Sequence, residues 1–281
     1  MIGMNGTTLK PNPKCLGLHF QVYKGGYDSR LCQMQLKDQA YDENRRICDV
    51  FASKDGYEQS ALVFTTSVLL YQVSRTYLDC TDVKQRLSCK SGVYQIKPCS
   101  SCDAFFAYCD MDTDGKAWTV FQRRKDGSVD FNENWQNYAC GFGNLSGEFW
   151  LGNKRIYEIM SSATYEFRID MIDRDNGRAY YATYESIKIG NEAENYRLKL
   201  GGYINATSTA VEALDDAQNM EFYTNDRDTA NCGAYFKSGW WFSACFRSNL
   251  NGEYGSQYII WDATKSNRLL KFSEMKIRRI G

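Results

Sequence analysis

The chain has 281 residues, 43% of them hydrophobic, enough for one large domain or a domain with a smaller module, and too many for disorder to be the main state. Thirty-four Lys and Arg balance 34 Asp and Glu, so the basic excess that neutralises phosphates is missing and nucleic acid is excluded as a first reading. A single histidine, His19, removes most Ser-His-Asp, Cys-His and multi-His metal schemes, which leaves an enzyme few materials to work with.

The first residues, Met1 to Thr8, lack the charged and apolar regions of a signal peptide, as a mature or truncated form would. Residues 1–79 hold Cys15, Cys32, Cys48 and His19, and the charged stretch from Lys37 to Arg46 reads as a solvated helix or a loop. No fold is assigned to this Cys-containing region. Its longest apolar stretch, Ala61 to Val73, is interrupted by Thr65, Thr66 and Ser67 and falls short of the roughly 20 residues that span a bilayer, so no membrane span is expected. Residues 80–281 hold all six tryptophans and most of the glycines, the pattern of aromatic-rich strands and short helices separated by turns.

Within this second region Asp130 and Glu133 form a capping-box pattern, after which Trp135 and Tyr138 share a helical face until Gly141. Ile156, Ile159 and Met160 mark a second short helix. Tyr165, Phe167, Ile169 and Met171 alternate with Glu166, Arg168 and Asp170, which predicts a half-exposed antiparallel strand with one charged face. Asp175-Asn176-Gly177 then suits a type I′ turn into a second strand from Ala179 to Ile189. Strands mixed with short helices give an α+β fold.

Eleven cysteines point to an oxidising compartment, and their odd number leaves one thiol free or open to another chain if ten pair internally. N-x-S/T sequons at Asn5, Asn144 and Asn205 fit secretion. Asp110, Asp112, Asp114 and Gly115 imitate the start of an EF-hand loop, but its twelfth position is Phe121 instead of a bidentate Glu, so a solvated turn is the stronger reading. Cys89, Cys99, Cys102 and Cys109 could be drawn as a thiolate zinc site, yet paired Cys-x2-Cys units are missing and disulfides fit the compartment better. Cys99-Ser-Ser-Cys102 also lacks the strand-to-helix setting of a thioredoxin-like redox motif.

Asp226 and Asp228 place two carboxylates in a loop-like segment and would chelate calcium if carbonyls and water completed six to eight oxygens; a solvated acidic loop is the plainer alternative. A disulfide between Cys232 and Cys245 would close a short loop, worth about 3 kcal/mol by chain entropy, and hold Phe236, Phe246 and the Trp240-Trp241 pair near those acids. Aromatic walls beside a few polar groups suit small neutral ligands. For Trp240 and Trp241 themselves core packing is favoured.

At these residues the sequence resembles the fibrinogen C-terminal-like domain. The segments that carry the resemblance are Ser91 to Pro98, Tyr108 to Met111 with Thr113 to Gly115, Trp118 to Arg124 with Asp126 to Phe131, Gly141 to Asn153, Gly239 to Trp241, Asn249 to Gly252 and Met275 to Arg278. They run in the family's order across residues 80–281. The resemblance implies an extracellular, non-enzymatic recognition module with an antiparallel sheet, short helices and a loop-rich ligand end, bridged from Cys80 to Cys109 and from Cys232 to Cys245.

The resemblance also implies a calcium site at Asp226 and Asp228. Only Thr229 and Ala230 separate Asp228 from Asn231-Cys232, fewer residues than the family usually has there, so fewer carbonyls are on hand. In lectin-like members an acetyl-group pocket lies beside the later disulfide, with aromatic walls and a His after the second cysteine. Here that position is Phe246. The wall candidates are Phe236, Phe246, Tyr254, Tyr258 and Trp261, with Asn249 either a polar contact or a local backbone partner. The expectation is a secreted protein that recognises acetylated or other surface glycans, with calcium stabilising the loops. The alternative is an extracellular protein ligand in adhesion or receptor signalling, its partner a cell-surface protein. An unpaired cysteine would permit a homo-oligomer.

Overall fold

The computed structural model describes residues 8–11, 50–53, 76–87, 90–228, 231–262 and 268–280. His19, the Lys37 to Arg46 stretch, the Ala61 to Val73 run, Asn5, Cys15, Cys32, Cys48 and Cys89 lie outside the described residues. Strands β1 (Thr8–Pro11) and β2 (Val50–Ser53) pair antiparallel.

Most of the remaining strands build one antiparallel sheet with helices packed against it, and two form a separate pair. Helix α1 (Cys80–Leu87) precedes the hairpin of β3 (Gly92–Ile96) and β4 (Phe105–Asp110). Strand β5 (Trp118–Arg124) follows, then α2 (Trp135–Cys140), the short pair β6 (Phe142–Gly143) and β7 (Phe149–Trp150), and α3 (Asn153–Ser162). Strands β8 (Tyr165–Asp173) and β9 (Ala179–Tyr184) form a hairpin, and β10 (Ile187–Ile189) pairs separately with β11 (Leu198–Leu200). Helix α4 (Cys232–Phe236), β12 (Ile260–Trp261) and β13 (Arg268–Arg279) complete the fold. The main sheet runs β3-β4-β5-β13-β8-β9, so the last strand is inserted at its centre.

Where β13 meets β5 the register shifts between Met275 and Lys276, leaving Phe121 as the extra residue on β5. This bulge turns Phe121 into the core, where its ring lies 5.9 Å from both Trp150 and Phe167. Beyond it Arg123 and Glu274 share the opposite face and pair at 2.6 Å. Helix α3 buries Ile156, Ile159 and Met160 as its spacing predicted. Gly141 and Gly152 lie at a backbone crossing; a Cβ on Gly141 (φ +94) would sit 2.4 Å from the Leu151 carbonyl oxygen, which only glycine avoids.

Several local expectations differ from the structure. Helix α2 is capped by Asn134, whose side chain accepts from Asn137 N, and not by Asp130. The Asp130 carboxylate instead closes its own turn by accepting from Asn132 N at 2.8 Å. The β8–β9 connection is a longer loop than a type I′ turn: Gly177 (φ 70) is left-handed, its N–H reaches Asp173 O, and Asp173 Oδ1 accepts from Asp175 N and Asn176 N.

Strand β8 is not half-exposed. Its charged face is withdrawn into a network centred on Lys276, which is 2% exposed and lies 2.6 Å from Asp110, 2.5 Å from Asp170 and 3.1 Å from Glu274. Arg168 joins Asp170 and Asp114, and Arg278 joins Glu166. The EF-hand-like acids are consumed here: Asp110 by Lys276 and Thr113, Asp114 by Arg168, and Asp112 by the Ser91 hydroxyl.

Candidate ligand site at the Cys232 to Cys245 loop

The expected disulfides Cys80–Cys109 and Cys232–Cys245 are both formed. Cys99 pairs with Cys102, which removes both from any zinc site. Cys140 is also disulfide-bonded.

Thr224 lies against α4, and Gly233 makes the contact possible, since a Cβ there would meet the Thr224 carbonyl carbon at 2.7 Å. The helix lasts five residues, bracketed by left-handed Asn231 (φ 61) and Lys237 (φ 51). Its last turn carries Tyr235 and Phe236 out beside the disulfide. The Phe236 ring centroid lies 4.6 Å from Phe246, 5.2 Å from Tyr258 and 4.8 Å from Tyr235, each close to perpendicular, the edge-to-face geometry that aromatic quadrupoles favour. Phe236, Phe246 and Tyr258 are half-buried, whereas Tyr235 is 65% exposed. The result is an aromatic surface open on one side, with Ala244 exposed at its edge and the Lys237–Glu253 ion pair at 3.0 Å in the adjoining segments.

Among the described residues, the backbone N–H groups of Cys245 and Phe246 have no intramolecular acceptor. Two donors therefore remain in the segment that carries the Phe246 ring. Arg247, the next residue, is fixed in place by Asp215 at 2.8 Å and Asp262 at 3.1 Å. Burial opposes its charge, but hydrogen bonding to Asp262 and the charge of Asp215 outweigh that and raise its pKa.

Three of the six expected contact residues, Phe236, Phe246 and Tyr258, are thus brought together; three are placed elsewhere. Asn249 is fully buried, with Nδ2 donating to Ser238 Oγ at 3.0 Å and Oδ1 accepting from Asn251 N, so it acts as a local backbone and core partner. Trp261 is fully buried and donates its indole N–H to Val211 O. The Tyr254 hydroxyl lies within 2.8 Å of the Lys125 and Lys271 carbonyls, on the side facing β5 and β13. Trp240 and Trp241 are core residues, the indole of Trp241 donating to Tyr196 O. Tyr235 was missed by sequence reasoning, although its adjacency to Phe236 after Cys232 was the available signal.

The family described as fibrinogen beta and gamma chains, with their C-terminal globular domain, matches residues 76–280. The protein belongs to it. The fibrinogen-related domain is 42% identical over 220 residues to mouse (Mus musculus) fibrinogen C domain-containing protein 1, covering 72% of this chain and 47% of that protein. It is 39% identical over 230 residues to chicken (Gallus gallus) tenascin-R, covering 78% of this chain and 17% of that one. The sequence therefore spans about half the length, or less, of these curated relatives. The fibrinogen-like globe domain of human ANGPTL2 superposes with a TM-score of 0.68 at 35% identity, covering 72% of this chain and 99% of that one. Lamprey fibrin D-dimer complexed with the peptide Gly-His-Arg-Pro-amide superposes with a TM-score of 0.67 at 29% identity, covering 79% and 86%.

In the fibrinogen-related domain the two acids expected to hold calcium already serve the fold. Asp226 Oδ1 accepts from Trp135 N at 2.9 Å and from the Thr224 hydroxyl at 2.7 Å, adding a second cap to α2, while Arg227 stacks 4.2 Å over the Trp135 ring. Asp228 Oδ2 accepts from Gly233 N at 2.6 Å. Each carboxylate thus has one oxygen committed to backbone, and Thr229 and Ala230, whose carbonyls were the expected further donors, lie outside the described residues. Among the described residues no group of three or more His, Cys, Asp or Glu is arranged to hold a metal ion, and no helix is long and apolar enough to cross a membrane. Of the sequons, Asn205 is exposed at the start of a single helical turn, whereas Asn144 is half-buried and its Oδ1 accepts from Ser146 N.

Proposed function

We propose that this fibrinogen-related protein acts outside the cell as a non-catalytic recognition protein, and that it binds N-acetylated glycans at the surface formed by Tyr235, Phe236, Phe246 and Tyr258. The observation that carries the reading is the pairing of that half-open aromatic cluster with the two backbone donors at Cys245 and Phe246. An acetyl methyl set against the rings gains about 0.8 kcal/mol per buried carbon, and a carbonyl that meets an N–H avoids the roughly 1 to 3 kcal/mol of an unpaired acceptor. Phe246 adds contact area and no hydrogen bond, so the carbonyl depends on the backbone alone and affinity is modest. The disulfides support an extracellular setting.

The same reading places calcium at Asp226 and Asp228. The hard oxygen donors suit the ion, but with one oxygen of each already committed, backbone carbonyls and water must supply most of its six to eight ligands and binding is weak.

Glycan-array binding competed by N-acetylglucosamine, with and without calcium, tests the reading. Phe246→His should strengthen binding and Phe246→Ala should weaken it about fivefold or more. If neither change alters a measurable affinity, the ligand sits elsewhere. The second reading, a protein partner, is favoured by the 65% exposure of Tyr235, since an amphipathic aromatic at a rim suits protein interfaces as well. A Tyr235→Ala variant that loses cell-surface protein binding while sugars do not compete would establish it.

A further inference from the structure

The Cys99–Cys102 bridge lies in the loop between β3 and β4, with only Ser100 and Ser101 inside its ring. It differs from the other described bridges in access. Cys80 and Cys109 are both 0% exposed, and in the third bridge Cys232 is 2% exposed while Cys245 is part-exposed, so among the described bridges only Cys99–Cys102 is part-exposed at both ends. Cys99 and Cys102 are both part-exposed, and Ser100, Ser101, Asp103 and Ala104 around them are exposed. Thiol–disulfide exchange requires in-line approach of a thiolate to sulfur, so access sets which bond reacts first.

The bridge also differs in what its opening would release. Chain-entropy stabilisation grows with the logarithm of the loop closed, and sequence separations of 3, 13 and 29 make Cys99–Cys102 the smallest contributor of the three. The hairpin around it is held independently. Five residue pairs register β3 with β4, from Gly92 against Cys109 to Ile96 against Phe105, and Lys97 N donates to Tyr77 O at 2.6 Å. Breaking the small ring leaves these bonds in place.

The two sulfurs are not equivalent. Cys99 Sγ lies 3.3 Å from Ser101 Oγ, so the Ser101 hydroxyl is positioned to donate to a thiolate forming on Cys99. A leaving group stabilised there directs attack to Cys102.

We propose that Cys99–Cys102 is an exchangeable disulfide, a thiol-modification site that opens while the domain stays folded. An external thiolate attacks Cys102 Sγ; its new S–S bond forms as the Cys99–Cys102 bond breaks, and the electron pair of the broken bond leaves on Cys99 as thiolate. A second thiol then attacks the external sulfur of the mixed disulfide. It releases Cys102 as thiolate and carries away the oxidised thiol pair, so the protein bridge is reduced by two electrons. The reductant class is a small thiol or an extracellular protein dithiol. The loop has no helix N-terminus at the cysteines to lower a thiol pKa, so the pair acts as a substrate of exchange and not as a redox catalyst.

The full protein is first treated with one alkylating reagent to block existing thiols, then incubated with reduced glutathione under native conditions. Samples are quenched with an isotopically distinct reagent and mapped by mass spectrometry. The expected result is a glutathione adduct on Cys102 in several-fold excess over Cys99, with Cys99 newly alkylated, before any label reaches Cys80, Cys109, Cys232 or Cys245. Ser101→Ala should slow the reaction and bring the two adducts towards equal amounts. Tryptophan fluorescence should not change while the bridge opens. Label on Cys232 or Cys245 at the same rate or earlier, or a loss of native fluorescence in step with Cys99 alkylation, would overturn the proposal. Unchanged adduct distribution in Ser101→Ala would overturn the assignment of Cys102 as the attacked sulfur.

Discussion

Replacing Lys276 by methionine tests whether the charged face of the sheet is held together by its central cation. The ammonium lies between Asp110, Asp170 and Glu274 at 2.6, 2.5 and 3.1 Å, with 2% exposure. Methionine keeps most of the volume and removes the charge. Arg168 and Arg123 still answer Asp170 and Glu274, but Asp110 retains only its Thr113 hydroxyl and backbone N–H partners. Leaving a buried charge uncompensated costs about 3 to 5 kcal/mol. In the native protein burial pushes the Asp110 carboxyl up, but the Lys276 charge, its hydrogen bond and the Thr113 hydroxyl outweigh this and hold the pKa at about 2, against 3.8 when unperturbed. With allowance for partial solvent screening, that difference contributes about 1 to 2 kcal/mol. Because the folded value is the lower one, the contribution is complete above about pH 4 and is lost as pH falls towards 2.

In Lys276→Met the direction reverses. Without the cation, the burial that pushes the Asp110 carboxyl up is no longer offset by Lys276, so the variant should recover stability as pH falls from 7 to 5, while the native cluster contributes nothing new over that range. Urea unfolding followed by tryptophan fluorescence at both pH values reads this directly, and Lys276→Arg, which keeps the charge, should lie between the two. A Lys276→Met midpoint equal to that of the native protein at pH 7, or one that moves in parallel with it on acidification, would refute the reasoning.

Glu148 is fully buried and accepts four backbone N–H bonds, from Lys125, Asp126, Gly127 and Val129, so Glu148→Gln, which must turn an amide N–H towards some of them, should cost about 3 kcal/mol. For a domain of this size that lowers Tm by roughly 6 to 12 °C in a thermal melt. Asp226→Ala should lose about 1 kcal/mol of stability with or without calcium, because Trp135 N loses its acceptor. Calorimetric titration should show weak calcium binding that disappears in Asp228→Ala, and unchanged heat in that variant would exclude the site. Phe246→His and Phe246→Ala, assayed against N-acetylated sugars, should move affinity in opposite directions.

The parts of the fold that were legible in the sequence are those governed by short-range periodicity. Ile156, Ile159 and Met160 in α3, and the alternation from Tyr165 to Met171 in β8, lie where their spacing puts them because burial of one face selects one register. The errors arose where a side chain had several local partners to choose from. Asp130 has the right distance to Glu133 for a capping box, but its own turn to Asn132 was nearer, and Asn134 took the cap. The charges on β8 read as solvent-facing because Glu166, Arg168 and Asp170 alternate with apolar residues. Their partners come from distant segments: Asp114 from the turn between β4 and β5, and Lys276 and Arg278 from β13, which its insertion at the centre of the sheet sets beside β8.

The same distinction governs the candidate site. Cys232 and Cys245 could be paired through resemblance, and Phe236 and Phe246 come together because each sits close in sequence to one of those cysteines. Tyr254 and Tyr258 share one loop, yet their side chains diverge: Tyr258 joins Phe236, while the Tyr254 hydroxyl is held between the carbonyls of Lys125 on β5's flank and Lys271 on β13. Asn249 and Trp261 are engaged by Ser238 and Val211, polar groups that would otherwise be left without those bonds in or near the core. Aromatic and amide residues near a disulfide are therefore divided by hydrogen-bond demand. Asn249 meets a buried partner and turns inward, whereas the Tyr254 hydroxyl is held by carbonyls of the exposed residues Lys125 and Lys271. Tyr235, Phe236, Phe246 and Tyr258 are left to form a half-open aromatic surface, the one proposed above as the ligand site.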